Sequence, residues 1–146
     1  MISSARMGIS FCISFSICSL CFAGEEKTYG DIVVAEIVDV YDGDTFKANI
    51  KGWPAIIGDT ISIRIAGIDT PEKRGGDAYT KDLAEKARKY TANRLKKAKV
   101  VTLKNMRRGK YFRILADVYV DKWSLGKELM RVGLAKEYHG GSRPTW

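Results

Sequence analysis

Thr60-Ile61-Ser62-Ile63-Arg64-Ile65-Ala66 is the clearest secondary-structure signal in the chain. Its isoleucines recur at every second position, the period of a strand with one buried face, so Ile61, Ile63 and Ile65 face one side and Ser62 and Arg64 the other. Toward the N-terminus, past a loop around Gly52-Trp53-Pro54, the pattern repeats from Thr45 to Ile50, where Phe46, Ala48 and Ile50 alternate with Thr45, Lys47 and Asn49. Asp42-Gly43 marks a turn, and the Val- and Ile-rich stretch Ile32 to Val40 before it reads as another strand. Toward the C-terminus, Gly67 interrupts the strand and Asp69-Thr70-Pro71 begins a loop. A helix fits from about Asp77 to Lys97, with a modest apolar stripe at Leu83, Ala84, Ala87, Tyr90, Thr91 and Leu95. A short strand is expected at Val100 to Leu103, a turn at Arg107-Arg108-Gly109, and a strand from Tyr111 to Val120 with Phe112, Ile114, Ala116, Val118 and Val120 on one face. Ser124 caps a short helix carrying Leu125, Leu129 and Val132, which Gly133 can end. Three strands, a helix, two strands and a helix predict a mainly β chain: a small, mostly antiparallel β-barrel with peripheral helices, in α+β order.

A chain of 146 residues suits one domain, and 45% hydrophobic with 29% charged residues excludes global disorder. The three cysteines, Cys12, Cys18 and Cys21, all fall in an apolar N-terminal stretch. Arg6 is its one charge, an apolar run from Ile9 to Ala23 follows, and Ala23-Gly24 supplies small residues, so residues 1–23 read as a secretory signal peptide. The run is short for a retained membrane anchor, which needs about 20 apolar residues. A lipoprotein processing site is disfavoured by bulky Leu20 directly before Cys21. The expected mature chain is exported to the periplasm or medium and holds no cysteine, so its own packed core must stabilise it. Residues 24–30 are expected to form a flexible lead-in, 31–138 the folded domain and 139–146 a tail.

The net charge of +8 favours an anionic partner. It is concentrated: from Lys86 to Arg113 there are 12 basic residues and no acidic one. Such a run reads as a phosphate-binding surface, although charge by itself does not separate DNA from RNA or lipid. A peripheral membrane protein would need a helix with bulky apolar residues, and the stripe at Leu83, Ala84 and Ala87 is too thin for that. One histidine, His139, excludes a His-rich zinc site and leaves little room for a Ser-His-Asp triad; in its polar tail it reads as structural or idle.

Four carboxylates stand close to turns: Asp42, Asp44, Asp69 and Glu72. Asp42-Gly43-Asp44 and Asp69-Thr70-Pro71-Glu72 are each ordinary turn sequences when taken alone. Together they are more informative, because Asp44 starts one strand and Asp69 follows its hairpin neighbour. Two carboxylates brought together repel unless a cation joins them, and hard oxygen ligands point to Ca²⁺ or Mg²⁺. Arg64 and Arg113 lie on the non-apolar faces of their strands, where guanidinium forks could hold phosphate oxygens and the charge of a five-coordinate phosphorus. Glu72 could then take a proton from the attacking water. Lys110 and Tyr111 suit a phosphate and a sugar or base. Trp53 and Trp146 receive no role.

Val40-Tyr41-Asp42-Gly43-Asp44-Thr45-Phe46, Arg64-Ile65-Ala66-Gly67-Ile68-Asp69-Thr70-Pro71-Glu72 and Lys110-Tyr111-Phe112-Arg113, followed by Gly133-Leu134-Ala135-Lys136, resemble the staphylococcal nuclease (thermonuclease) family. The resemblance runs from about Asp31 to Tyr138. It implies a five-stranded OB-fold barrel and Ca²⁺-dependent hydrolysis of DNA and RNA with little sequence preference, leaving 3′-phosphate ends; Mg²⁺ or Mn²⁺ are the other candidate ions. It implies that Asp44 and Asp69 bind the metal through carboxylates and Thr70 through its carbonyl, with Asp42 behind them. Glu72 would be the general base, Arg64 and Arg113 would bind the scissile phosphate, and Lys110 and Tyr111 a neighbouring one. The stretch from Asp44 to Arg64 is longer than in the founding member, with Gly52-Trp53-Pro54 inside the extra length. That member's long C-terminal helix is expected to be absent, and the 139–146 tail does not match its base-contacting segment. The chain is expected to act as a monomer without stable membrane association after signal cleavage. The competing reading is an OB-fold module that grips single-stranded nucleic acid without cutting it; such a binder has no need of Arg64, Asp44, Asp69, Glu72 and Arg113 together.

Overall fold

Strand alternation builds the molecule, and the positions where it breaks shape the site. The computed structural model describes residues 27–146; the expected signal peptide lies outside the described residues. The elements are β1 (Ile32–Val33), β2 (Glu36–Asp42), β3 (Thr45–Asn49), a one-turn helix α1 (Ala55–Gly58), β4 (Ile61–Ile65), β5 (Ile68–Asp69), α2 (Ala78–Lys97), β6 (Val101–Arg108), β7 (Arg113–Val120), β8 (Trp123–Ser124), α3 (Leu125–Arg131) and β9 (Lys136–Glu137). The main sheet runs β1-β6-β7-β4-β3-β2, with β8 added to β7, and β5 pairs β9 separately.

The stretch read as one strand from Ile32 to Val40 is two. Ile32 pairs with Leu103 of β6, and Val34 N–H still donates to Val101 O. Ala35 N–H already donates to Asn49 O, and from Glu36 onward the chain pairs with β3. One segment thus serves both ends of the sheet, so the sheet curls round on itself. This curled, mainly β architecture with few helices is consistent with the expected OB-type fold.

The interior faces are those the alternation marks. Phe46, Ala48 and Ile50 are buried, as are Ile61, Ile63 and Ile65, and Ala116, Val118 and Val120. β6 is longer than its expected four residues, because a bulge breaks the period. The register shifts between Lys104 and Arg107, Asn105 sits at φ 49°, and the buried positions change phase from Val101 and Leu103 to Met106. Arg107 and Arg108 therefore lie within a strand, paired with Leu115 and Ile114, and not in a turn.

α2 is capped by Asp77, whose side chain accepts from Thr80 N–H at 2.8 Å, and it buries Ala84, Ala87, Thr91 and Leu95. Small residues at the first two let it lie close against β2. Arg94 joins it to α3 through a fork on Glu128, with Nε 2.6 Å and Nη2 2.9 Å from the two carboxylate oxygens. Ser124 caps α3, and Leu125 and Leu129 are buried. Gly133, at φ 74°, turns the chain out of α3 while Leu134 N–H reaches back to Leu129 O.

Candidate active site

The Asp42-Gly43-Asp44 turn is drawn onto α2. The Thr91 hydroxyl donates to Gly43 O at 2.6 Å, and a Cβ on Gly43 would stand 2.6 Å from the Ala87 Cβ. The packing admits glycine alone at that position. Asp44 is thereby placed under the end of β4, where its carbonyl accepts from Ile65 N–H at 2.9 Å. Asp69 closes β5, which is held by pairing with β9 (Asp69 opposite Lys136).

Arg64, on the outward face of β4, forks between the two acids. Its Nη1 lies 2.7 Å from Asp44 Oδ2 and its Nη2 3.0 Å from Asp69 Oδ1, and Nη2 also donates to Ile68 O at 3.3 Å. The side chains of Asp44 and Asp69 are only 4% and 3% exposed. The Thr45 hydroxyl donates to Asp44 Oδ1 at 2.8 Å and Thr70 N–H to Asp44 Oδ2 at 3.3 Å. Burial pushes the Asp44 carboxyl above its ordinary range, against the pull of Arg64 and the Thr45 hydroxyl; the neighbouring charges of Asp69 and Asp42 add to the rise. Asp42 is raised too, again chiefly by burial, with Lys73 and Arg64 opposing. Three acids thus crowd one partly buried guanidinium. The described residues hold no cluster of three or more His, Cys, Asp or Glu side chains arranged around a metal position. An excess of buried carboxylate charge with hard oxygen donors nevertheless fits a divalent cation held by Asp44, Asp69 and the Thr70 carbonyl, the remaining positions taken by water or substrate.

The second arginine arrives through register. β4 and β7 run parallel, with Ser62 opposite Arg113 and Arg64 opposite Leu115. Arg64 and Arg113 are therefore two residues apart on the same face of adjacent strands, and both line one cleft of about 720 Å³. Lys110 and Tyr111 line it too. Arg113 is steadied by its own turn: its Nε donates to Lys110 O at 3.2 Å and its guanidinium stands 5.7 Å from the centre of the Tyr111 ring. Tyr111 and Phe112, expected as the first residues of a strand, instead form the tip before β7. Both hold positive φ, 57° and 56°, and both are exposed. Phe112 is consequently not on the core face assigned to it by alternation.

Glu72 lies outside that wall. Its side chain is about half-exposed, and its carboxylate forms an ion pair with Arg143. Arg143 itself lines the cleft, as do Tyr138 and His139. The C-terminal segment given no role from sequence is therefore one side of the site. It is tied down by Tyr138 N–H donating to Gly67 O at 2.9 Å, by the Tyr138 hydroxyl on Gly141 O at 3.0 Å, and by Lys136 over the Trp146 ring. Arg107 also faces the cleft. It belongs to the basic run, so its charge was legible; Arg143 carried no local signal.

Residues 62–145 match the family described as Staphylococcal nuclease homologue. An uncharacterized endonuclease of Haemophilus influenzae is 30% identical over 138 residues, covering 94% of this chain and 67% of that protein. The SPbeta prophage-derived endonuclease YokF of Bacillus subtilis is 34% identical over 108 residues, 69% of this chain and 34% of that protein. A probable endonuclease LCL3 of Colletotrichum graminicola is 28% identical over 138 residues, 78% of this chain and 49% of that protein. The chain belongs to the staphylococcal nuclease family, and it spans about half or less of the length of two of these three relatives.

Proposed function

We propose that this chain is an exported, metal-dependent endonuclease that hydrolyses phosphodiester bonds of DNA and RNA with little sequence preference. The observation that carries the reading is the placement of Arg64 and Arg113 on one cleft, through the parallel β4–β7 register, directly beside the buried Asp44–Asp69 pair. Relatives named as endonucleases support it.

In this reading Arg64 and Arg113 donate hydrogen bonds to the non-bridging oxygens of the scissile phosphate and stabilise the extra charge of the five-coordinate state. Lys110 and Tyr111 hold the neighbouring phosphate and so fix the register of the strand in the cleft. Glu72 accepts the proton of the attacking water. The water oxygen bonds to phosphorus as the P–O5′ bond breaks, leaving a 3′-phosphate and a 5′-oxyanion that takes a proton from solvent to become the 5′-hydroxyl. Asp44, Asp69 and the Thr70 carbonyl would hold a Ca²⁺ ion, which supplies Lewis-acid polarisation of a phosphate oxygen when bound. Arg64 has a double duty, since it offsets part of the acid pair's charge and also faces the substrate. The Arg143 contact on Glu72 links the proposed base to the C-terminal wall.

Purified protein is expected to degrade both plasmid DNA and RNA when Ca²⁺ is added, and to stop on chelation. Arg113→Ala is expected to lower the rate at least about a hundredfold while the circular-dichroism spectrum is preserved. Nucleic acid that shifts on a gel yet stays intact with Ca²⁺, Mg²⁺ and Mn²⁺ would favour a non-cutting binding module.

A further inference from the structure

On the far side of the Lys110-Tyr111-Phe112 tip lies a second cavity, of about 520 Å³. Its lining joins the aromatic side chains of Tyr29, Trp53 and Phe112 and the apolar Ile57 and Met106 to the arginines Arg107, Arg108 and Arg113. Arg107, Gly109 and Arg113 line both this cavity and the cationic cleft, so the two adjoin at the β6–β7 tip. Arg108 adds a positive rim on the apolar side.

The tip divides its aromatics between the two spaces, Tyr111 on the cleft and Phe112 on the apolar cavity. Phe112 is 66% exposed although it is a large apolar side chain, and its backbone is left-handed. Neither burial nor backbone preference accounts for a phenylalanine there, since a turn with positive φ favours glycine or asparagine. Trp53 and Ile57 come from the long β3–β4 connection that contains α1, and Trp53 is partly buried against the core.

We propose that this cavity is a nucleobase subsite. A single strand whose phosphate is held at Arg113 crosses the tip and inserts the adjacent base against Phe112 and Trp53. The proposal rests on the nuclease reading and extends it, because the chemistry proposed at Arg64 and Arg113 addresses only phosphate. An apolar, aromatic-walled slot of this size, rimmed by cations and opening onto a phosphate cleft, matches a base attached to its own backbone. Stacking is tolerant of base identity, so the slot contributes affinity without sequence choice.

The test is binding of fluorescein-labelled oligothymidylate to the full-length chain in chelator, beside an abasic oligomer of the same length and phosphate count. Wild-type protein is expected to bind the thymidylate at least about fivefold more tightly than the abasic strand. Phe112→Ala is expected to abolish that contrast, bringing thymidylate affinity down to the abasic value, and Trp53→Phe to preserve most of it. Equal wild-type affinity for the two oligomers would overturn the slot. So would an intact contrast in Phe112→Ala, including the case in which that variant instead loses binding to anionic phospholipid vesicles or loses self-association. Plasmid digestion with Ca²⁺ in parallel keeps the two ideas apart: a chain that cuts but ignores bases is a nuclease without this slot, whereas failure to cut strikes the proposed function itself.

Discussion

The turn at Asp42-Gly43-Asp44 is packed onto α2, with Gly43 O bonded to Thr91 and Asp44 nearly buried, whereas the tip at Lys110-Tyr111-Phe112 stands in solvent with two aromatic residues in left-handed backbone. Both turns deliver residues to one site, yet by opposite means. Buried acids must be fixed before anything binds, because a misplaced carboxylate loses the Arg64 fork that compensates its burial. Groups that receive a flexible polymer gain from being displayed, and there the fold tolerates strain that burial does not repay. In the proposed function one turn is organised for charge and the other for contact. Each can be altered without touching the other, so the contrast is open to experiment.

The largest effect is expected at the buried turn. Asp44→Asn keeps the shape of the side chain but removes one negative charge from the three that surround Arg64. In the proposed role of Asp44 as a cation ligand, cleavage is expected to fall by up to about a hundredfold. The unfolding midpoint measured without added metal is expected to be unchanged or higher, because like-charge repulsion among Asp42, Asp44 and Asp69 is relieved. A loss of several kcal/mol would mean that Asp44 is held for stability and that the charge-crowding argument is wrong. Gly43→Ala tests the same turn by sterics alone. Its Cβ would meet the Ala87 Cβ at 2.6 Å and the Thr70 Cγ2 at 3.0 Å. The expected cost is about 1–3 kcal/mol in urea unfolding, with reduced cleavage because Asp44 shifts with the turn. An unchanged midpoint would show that the α2 contact is looser than the structure has it.

Much of this was legible in the sequence, for a physical reason that differs by region. β3, β4 and β7 hold a strict period of two over their inner faces, and Phe46, Ile63 and Val118 were therefore placed correctly by alternation. Arg64 was legible as an outward residue for the same reason, and the acid pair followed from turns placed at strand ends. β6 was truncated in the reading because the bulge at Asn105 changes the phase of burial. β1 and β2 were merged because a change of hydrogen-bonding partner leaves no mark on hydropathy. Phe112 was misplaced because positive φ on a phenylalanine cannot be anticipated from its neighbours. The wall formed by Tyr138 and Arg143 was missed since it depends on the β5–β9 pairing, a two-residue contact between segments far apart in the chain.

The smallest expected effect tests the strained tip. Phe112 at φ 56° carries a left-handed penalty of about 1–2 kcal/mol for a residue with a Cβ. Phe112→Gly removes it, while glycine's extra freedom in the unfolded chain costs about 0.5–1 kcal/mol. The residue is already two-thirds exposed, so little burial is given up. The net expectation is a gain of about 0.5–1 kcal/mol, or about 2–4 °C in the thermal midpoint. Nucleic-acid affinity should move the other way. A variant that is more stable and binds single strands less well would mean that strain at the tip is retained for contact with the polymer. A variant that is less stable would mean that Phe112 holds the β6–β7 hairpin against the Trp53 loop, and the distinction between a packed turn for charge and a displayed turn for contact would then fail at its second half.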